Sequence, residues 1–483
     1  MAIPGTTPPD IPELVAMGAT EVVSLLKQRK VSPLELLEVL RERIRSVDPA
    51  VNALPTLCMD RAREKAGRRD TRDETLLSGL PVVIKDLVDV RGVRTTYGSL
   101  VYENHIADSS DILVEHLENR GGIVYAKSNT PEFGTGGNTR NRVFGMTRNP
   151  WNTALSSAGS SGGSAVALAT GMAWLAHGSD MGGSLRNPAS FCSIVGLRPT
   201  VGRVASTPGS AVSNTLSTDG PMARNVADLA LMLDAMCGHE PGNPLSVPAP
   251  CVPFAEAVAS PAPAGEVAYS LDLGITTIDP GVQSVFADAL AKLEGAGVRL
   301  TRASPDFSGM DEVFRILRAH SYESGLGALL AQHEDRLDPN VVWNIREGQK
   351  LSRADLSRAE AERVRIVQRV QRFFRQYPVL LTPATVVPPY PVEQDHVSRC
   401  GDHRFENYYQ WLSIAYAFTT ALCPALSMPC GFTGGGLPVG LQVAGAAYGE
   451  ATLLSHAAKF EEILELTPVP PINPRTPDQD NGG

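Results

Sequence analysis

The stretch AGSSGGSAVALATGMAWLAHGSDMGGSLRNP, residues 158–188, decides how this chain is organised. Two clusters of glycine and serine, residues 159–164 and 178–184, flank a run of mostly small and apolar residues. Glycine beside serine lets the backbone turn sharply and exposes N–H groups towards a ligand. Residues 164–172 predict a helix of small side chains, and residues 173–177 predict a short buried strand. A serine on such a turn is a common setting for a nucleophile when a base lies nearby.

The candidate base lies upstream, in the apolar segment LPVVIKD at residues 80–86. Residues 82–84 are apolar and β-branched, which predicts a buried strand that ends at Lys85. Taken alone, a lysine at a strand end is most simply a surface side chain whose stem covers apolar neighbours. The motifs elsewhere in the chain favour a catalytic role instead.

Three motifs in this order, GLPVVIKD, GSSGGS and GSDMGGSLR, resemble the amidase signature family of serine hydrolases. The resemblance extends over residues 12–471 and includes residues 127–152, 196–204, 220–224 and 424–445. It implies an α/β fold in which helices cover both faces of a large, mixed and twisted β-sheet. It also implies an amidase that cleaves carboxylic amide C–N bonds through a seryl acyl-enzyme. Small or aryl and hydrophobic amides are the expected substrates, with esters and carbamates as further candidates.

The resemblance implies a Ser–Ser–Lys triad at three positions of this sequence. Ser184 matches the nucleophile, Lys85 the base, and Ser160 the bridging serine that follows a cis peptide bond in the family. Ser160 would take the proton of Ser184 and pass its own to Lys85. A lysine accepts a proton only when neutral, and burial among apolar residues would lower its pKa towards neutrality.

The second glycine turn is expected to stabilise negative charge, since its N–H groups can converge on one oxygen. The residues of this oxyanion hole are Met181, Gly182, Gly183 and Ser184. The family stabilises these turns at further positions, which match Ser161, Asp180 and Arg186 in this sequence. An ion pair between Asp180 and Arg186 is expected.

Two segments are candidates for substrate binding. Residues 134–138 form a loop whose three glycines would leave room for a bulky group, and its candidate substrate-binding residues are Gly134, Thr135 and Gly136. The aromatic segment 405–411 would form the opposite wall through Tyr409 and Trp411. Core packing of an amphipathic helix is the alternative interpretation of these aromatic residues.

Three other functions compete with the amidase interpretation. Residues 159–163 also fit G-x-S-x-G, the nucleophile elbow of α/β-hydrolases, with Ser161 as nucleophile. That motif should follow a strand, but residues 152–157 make a poor one and no HGGG-type segment accompanies them. A non-catalytic amide-binding protein should lack a triad residue, and none is missing. A glutaminase subunit of a tRNA-dependent amidotransferase remains the alternative function, and it would require partner subunits.

The chain is expected to consist of three parts. Residues 1–70 read as a helical arm, with helices at 19–29, 33–47 and 52–66, that is also a candidate surface for a homodimer. Residues 71–472 form the core, with a helical insertion around 309–377, and residues 473–483 form a flexible tail. Residues 405–421 are expected to form one aromatic helix.

Composition excludes several classes of protein. The 483 residues are 43% hydrophobic and 20% charged, which is ordinary for a globular protein, and the net charge of −9 opposes a surface that binds nucleic acid. No apolar run approaches the roughly 18 residues of a membrane span, and no signal peptide is visible. The seven cysteines show no CxxC spacing, which predicts reduced thiols in a cytoplasmic protein. No cluster of metal ligands is visible, so neither a metal nor a cofactor is expected.

A fluorophosphonate probe is expected to label Ser184, because the resemblance makes this residue the nucleophile. Peptide mass spectrometry of the labelled protein identifies the modified serine, and Ser184→Ala serves as the unlabelled control. A label on Ser161 would show that the nucleophile-elbow interpretation is right.

Overall fold

The computed structural model describes residues 12–68, 75–207, 214–261, 265–465 and 471–476. Most of the tail predicted at residues 473–483 lies outside these ranges. The described residues contain strands at the following positions: β1 Thr56–Leu57, β2 Pro81–Lys85, β3 Ile123–Ser128, β4 Arg140–Asn141, β5 Gly145–Met146, β6 Arg148–Asn149, β7 Asn152–Ser156, β8 Leu175–Asp180, β9 Val195–Arg198, β10 Thr218–Ala223, β11 Glu266–Tyr269, β12 Arg299–Arg302, β13 Val379–Pro383, β14 Arg399–Cys400, β15 His403–Arg404, β16 Ala425–Phe432 and β17 Pro438–Gly445.

Eleven of these strands form one mixed sheet, in the order β1-β3-β2-β8-β10-β9-β16-β17-β13-β11-β12. Strand β2 runs parallel to both β3 and β8, whereas β10 runs antiparallel to β8. Because β2 and β8 are parallel neighbours, their carboxyl ends meet at one edge of the sheet, where α/β proteins commonly place ligands. The other strands form two-stranded hairpins outside this sheet.

Helices flank the sheet, and the expected mixed α/β fold is therefore confirmed. The α-helices of the described residues are: α1 Glu13–Ala16, α2 Ala19–Lys27, α3 Pro33–Val51, α4 Met59–Arg68, α5 Ile112–Asn119, α6 Gly162–Ala169, α7 Arg186–Cys192, α8 Val226–Met236, α9 Phe254–Ala259, α10 Pro280–Gly295, α11 Met310–His333, α12 Pro339–Gln349, α13 Arg353–Phe373, α14 Ser413–Thr420 and α15 Glu450–Leu464. None of these helices combines the length and the apolar composition needed to cross a bilayer.

The N-terminal helices pack on the body of the protein. The carboxylate of Asp228 in α8 accepts the N–H groups of Ala19 and Thr20 at 2.7 and 2.8 Å, and so caps α2 from another element. Helix α3 begins with a capping box, in which Ser32 and Glu35 each accept a backbone N–H group of the other.

The helix predicted at residues 52–66 is wrong in its first half. Asn52 adopts a left-handed conformation (φ 54°) that ends α3, and Pro55 then disfavours helical backbone at the preceding residue. Residues 56–57 instead form β1, which pairs with the edge of the main sheet, and α4 begins only at Met59. The arm thus contributes a strand to the core sheet.

The aromatic helix predicted at 405–421 is shorter than expected. Helix α14 begins at Ser413, after a single 3₁₀ turn at Gln410–Leu412. Two local bonds explain the late start: the side chain of Gln410 accepts the N–H of Glu406 at 2.6 Å, and Asn407 accepts the N–H of Tyr409 at 3.1 Å. Such bonds offer the backbone an alternative to helix.

The expectation that residues 152–157 would make a poor strand is wrong, because Asn152–Ser156 forms β7. This strand pairs with β6 in a two-stranded hairpin and takes no part in the main sheet. It is therefore not the sheet strand that precedes a nucleophile elbow.

Candidate active site

The amine of Lys85 lies at the centre of the site. The whole residue is 0% exposed at the carboxyl end of β2. Its Nζ contacts three hydroxyl oxygens, at 2.7 Å for Ser160, 3.0 Å for Ser161 and 3.0 Å for Ser179. The structure therefore joins two sequence-predicted residues, Lys85 and Ser160, which lie 75 positions apart.

Burial lowers the pKa of Lys85 to about 7, since the charged ammonium loses its hydration. The negative charges of Asp219 and Asp180 act in the opposite direction and limit the fall. A lowered pKa makes the uncharged amine, which can accept a proton, accessible near neutral pH.

Ser160 lies on the turn that leads into α6, and the peptide bond between Gly159 and Ser160 is cis, as the resemblance implied. Gly134 of the glycine-rich loop lies directly against this serine. A Cβ added to Gly134 would lie 3.3 Å from Ser160 Oγ and 3.0 Å from Leu87 Cδ1, and the residue has a positive φ of 72°. A side chain at position 134 would therefore crowd the bridging serine.

Ser184 lies on the turn between β8 and α7 and is half-buried. Its carbonyl oxygen accepts the N–H of Ser161 at 3.2 Å, so the two glycine–serine turns are in direct contact. This contact brings Ser184 to the edge of the sheet where Lys85 and Ser160 meet. Proton transfer between the Ser184 and Ser160 hydroxyls stays a prediction.

A buried carboxylate holds the second turn in shape. Asp180 forms the expected ion pair with Arg186, with 2.9 Å between Oδ1 and Nη2. The same carboxylate accepts the N–H groups of Gly183 at 2.9 Å and Leu185 at 3.1 Å. Burial opposes the ionised form of Asp180, but the guanidinium groups of Arg186 and Arg198 outweigh it and hold its pKa well below the usual range.

These bonds reduce the number of N–H groups that remain as candidate donors of the predicted oxyanion hole. The N–H of Gly183 already donates to Asp180. Within the described part of the chain, the N–H groups of Met181, Gly182 and Ser184 make no hydrogen bond, so they are the candidates for binding an oxyanion.

Ser161 supports the turn from inside the protein. It is 0% exposed, and its hydroxyl lies within hydrogen-bond distance of Lys85 Nζ and of the Ser179 carbonyl oxygen at 3.3 Å. A nucleophile has to meet the substrate, so the greater exposure of Ser184 favours Ser184 over Ser161.

The structure does not place Trp411 on an open pocket wall. Trp411 is 1% exposed, and a Cβ added to Gly137 would lie 2.4 Å from its Cζ2. The indole thus fills the room that the glycine loop was expected to leave, and it packs edge-on against Tyr390 with 5.7 Å between ring centroids. This packing favours the core interpretation of Trp411, and contact of Trp411 with substrate stays a prediction.

Tyr409 is also buried, beside Phe314 and over the guanidinium of Arg318, whose carbon lies 4.7 Å from the ring centroid. The hydroxyl of Thr135 is engaged as well, since it lies 2.8 Å from the hydroxyl of Tyr322 in α11. Gly136 has a positive φ of 119° and an open environment. Contact of Tyr409, Thr135 and Gly136 with substrate stays a prediction.

Sequence reasoning missed two residues that border the predicted oxyanion turn, residues 181–184. A Cβ added to Gly182 would lie 3.7 Å from Phe314 Cζ and 3.8 Å from Leu412 Cδ1. Phe314 belongs to α11, which lies in the helical insertion predicted around residues 309–377. Its approach to residue 182 depends on tertiary packing that has no local sequence signal.

Sequence reasoning also missed Ser179 and His177, which lie on β8 beside Lys85. Alternate residues of a strand share a face, and this period places both side chains on one side of β8. Among the described residues, no group of three or more histidine, cysteine, aspartate or glutamate side chains is arranged to hold a metal ion.

The model of the Amidase family matches residues 35–454 of this chain. The chain is 34% identical over 455 residues to an acylamidase of Rhodococcus erythropolis, covering 92% of this chain and 95% of the relative. It is 32% identical over 481 residues to the A-type subunit of the glutamyl-tRNA(Gln) amidotransferase of Geotalea daltonii, covering 93% and 98%. A bacterial aryl acylamidase structure shares the fold, with a TM-score of 0.87 at 24% identity over 93% of this chain and 96% of that one.

The rate of amide hydrolysis is expected to rise through about pH 7 and then to level off, because Lys85 acts only after it loses its proton. The profile of kcat/KM against pH measures this rise, and EDTA is expected to leave it unchanged. Lys85→Ala should lower the plateau by about 10²–10⁴-fold, the usual contribution of a general base. A rate that falls as the pH passes through 7 would contradict this role.

Trp411→Ala is expected to lower the free energy of unfolding by about 3–5 kcal/mol, as for other large aromatic residues in a core. Denaturant titration measures the change. Trp343→Ala is the matched control, since Trp343 is 37% exposed and should cost much less. A stable Trp411→Ala protein with an altered ranking of substrates would restore the pocket-wall interpretation.

Proposed function

Since this chain belongs to the amidase family, we propose that it hydrolyses small or aryl and hydrophobic amides through an acyl-enzyme on Ser184. The observation that carries the proposal is the buried contact between the Lys85 amine and the Ser160 hydroxyl, at 2.7 Å. A neutral amine at this distance can accept a proton from the hydroxyl. The half-buried Ser184 on the adjoining turn is the hydroxyl that would lose its proton through Ser160.

The reaction would begin when the Ser184 oxygen attacks the amide carbon. Ser160 takes the Ser184 proton and gives its own to Lys85, so one proton is stored on the lysine. The amide C–N bond then breaks, and the stored proton returns through Ser160 to the leaving nitrogen. In the second half of the reaction, water attacks the ester on Ser184 and gives its proton through Ser160 to Lys85. The ester bond then breaks, the carboxylic acid leaves, and the proton returns through Ser160 to the Ser184 oxygen.

The developing negative charge would lie on the carbonyl oxygen, against the free N–H groups of Met181, Gly182 and Ser184. Removal of a single donor of this kind typically costs about 10²–10³ in kcat. The bonds from Gly183 and Leu185 to Asp180 fix the turn before the substrate arrives, so these donors need little reorganisation.

The preference for aryl or hydrophobic amides is supported by the apolar side chains beside the oxyanion turn. Phe314 and Leu412 lie over Gly182, and Met181 packs against the apolar side chains of α11 and α12. Phe314 stacks on Tyr416 with 4.1 Å between ring centroids, which holds the ring in place. Aromatic groups on a substrate would find apolar contact here. The similarity to an acylamidase supports the hydrolysis of acyl amides.

A glutaminase role with partner subunits is the second candidate, favoured by the 32% identity with the A-type subunit of an amidotransferase over nearly its whole length. The two functions differ in the substrate that the isolated chain accepts. The acylamidase function predicts that the isolated chain hydrolyses aryl amides, whereas the glutaminase function predicts a preference for glutamine that depends on partner subunits.

The purified chain is expected to hydrolyse an acyl anilide with a kcat/KM at least about tenfold above that for glutamine, because even one methylene in an apolar pocket is worth about 1–3 kcal/mol and an aryl group buries more apolar surface. Release of the arylamine and of ammonia measures the two reactions. Ser184→Ala should abolish both. Glutamine turnover without anilide turnover would assign the chain to the glutaminase class.

A further inference from the structure

Behind the catalytic lysine, a buried histidine connects three neighbouring strands. The N–H of Lys85 in β2 donates to Nδ1 of His177 in β8 at 3.3 Å. The other ring nitrogen, Nε2, lies 2.9 Å from Oδ1 of Asp219 in β10. His177 is 0% exposed, and the carbonyl oxygen of the same residue accepts the hydroxyl of Ser164 at 2.7 Å.

These partners define the protonation of the ring. Because Nδ1 accepts a backbone N–H, it carries no proton, and Nε2 therefore donates its proton to the Asp219 carboxylate. Both nitrogens are used, so His177 is not available as a base for a serine. Its bonds instead attach the last residue of β2 to a carboxylate two strands away.

The charges around Lys85 differ in how they are balanced. Asp86, the residue that follows β2, pairs with Lys127 of β3 at 3.0 Å. Asp180 at the end of β8 pairs with Arg186 and with Arg198 of β9. In the part of the chain that the structure describes, Asp219 pairs with no lysine or arginine.

One further carboxylate lies close enough to Asp219 for their negative charges to interact. Asp111, at the start of α5, has its pKa raised to about 6 by burial and by the negative charge of Asp219. Serine hydroxyls form the remaining surroundings of the Lys85 amine. Of the two carboxylates whose charge acts on Lys85, Asp180 is offset by arginines, whereas within the described ranges Asp219 is not.

We propose that His177 and Asp219 are positioning residues for the catalytic lysine. His177 fixes the backbone of Lys85 at the strand end, and Asp219 orients His177 and supplies the negative charge that favours the protonated amine. This inference rests on the proposed function, because it takes Lys85 to be the base. It adds two residues that the Ser–Ser–Lys triad does not contain.

The direction of the effect follows from the charges. Burial lowers the pKa of Lys85 to about 7, and the Asp219 charge works against that fall. Without this charge the ammonium is less stable, so Lys85 loses its proton at a lower pH. The rise in rate should then move to lower pH, and the variant should keep more of its plateau activity in mild acid.

The test compares pH profiles of kcat/KM for an acyl anilide. Asp219→Asn is expected to retain a roughly fivefold larger fraction of its plateau rate at about pH 6 than the wild type, since a nearby opposite charge commonly changes a pKa by about a unit or more. Asp219→Glu keeps the charge and should keep the wild-type midpoint. Asp288→Asn is the matched control, because it removes the same charge from the exposed face of α10.

A second pair of variants separates the two bonds of the ring and does not depend on how well Asp219→Asn folds. In His177→Asn, the side-chain oxygen can replace Nδ1 as the acceptor for Lys85. In His177→Gln, the side-chain nitrogen can replace Nε2 as the donor to Asp219. The Asn variant is expected to keep about tenfold more kcat than the Gln variant, because small misplacements of a catalytic group are costly.

Two results would overturn the inference and leave the proposed function standing. In the first, the wild-type rate rises through about pH 7 and Asp219→Asn has the same midpoint as Asp288→Asn. In the second, His177→Asn and His177→Gln have equal kcat values. A wild-type profile without this rise, or full activity in Lys85→Ala, would overturn the proposed function and the inference with it. A lower melting temperature in Asp219→Asn with an unchanged midpoint would show a structural role only and would also overturn it.

Discussion

Lys85 is fully buried, and no carboxylate of the described residues forms an ion pair with its amine, so its charged form is costly. The protein meets this constraint with hydroxyl groups, which can donate to the uncharged amine or accept from the ammonium. Three serines from two segments of the chain, the adjacent Ser160 and Ser161 and the distant Ser179, surround one nitrogen. Because hydroxyls tolerate both protonation states, the lysine can gain and lose a proton without rearrangement of its neighbours.

That arrangement depends on close approach between a helix and the sheet. All eight residues of α6 are buried, and a Cβ added to Gly163 would lie 2.4 Å from the backbone nitrogen of Asn129, which follows β3. Any larger residue there would push the helix away and would carry Ser160 and Ser161 off the lysine. The small residues that mark this stretch in the sequence are therefore a packing requirement of the catalytic geometry.

The sequence predicted those features that local pattern or motif order determines. The sequence predicts the start of α3 at residue 33 and the end of β2 at Lys85, and three motifs indicate Lys85, Ser160 and Ser184 together. Prediction failed where a distant partner decides the outcome. The packing of Trp411 against Gly137, and of Phe314 beside Gly182, joins residues far apart in the chain, and no local pattern predicts either contact.

The oxyanion turn shows why a buried ion pair is useful at this position. Burying Asp180 with Arg186 and Arg198 gives little net stability, because desolvation offsets much of the attraction. It does fix geometry, since the carboxylate holds the N–H groups of Gly183 and Leu185 while Arg186 donates to the Ala415 carbonyl oxygen in α14. The turn is thereby attached to a neighbouring helix, and its free N–H groups keep their direction as charge develops. Asp180 is balanced by cations and serves shape, whereas Asp219 lies beside a neutral ring and leaves its charge acting on the lysine.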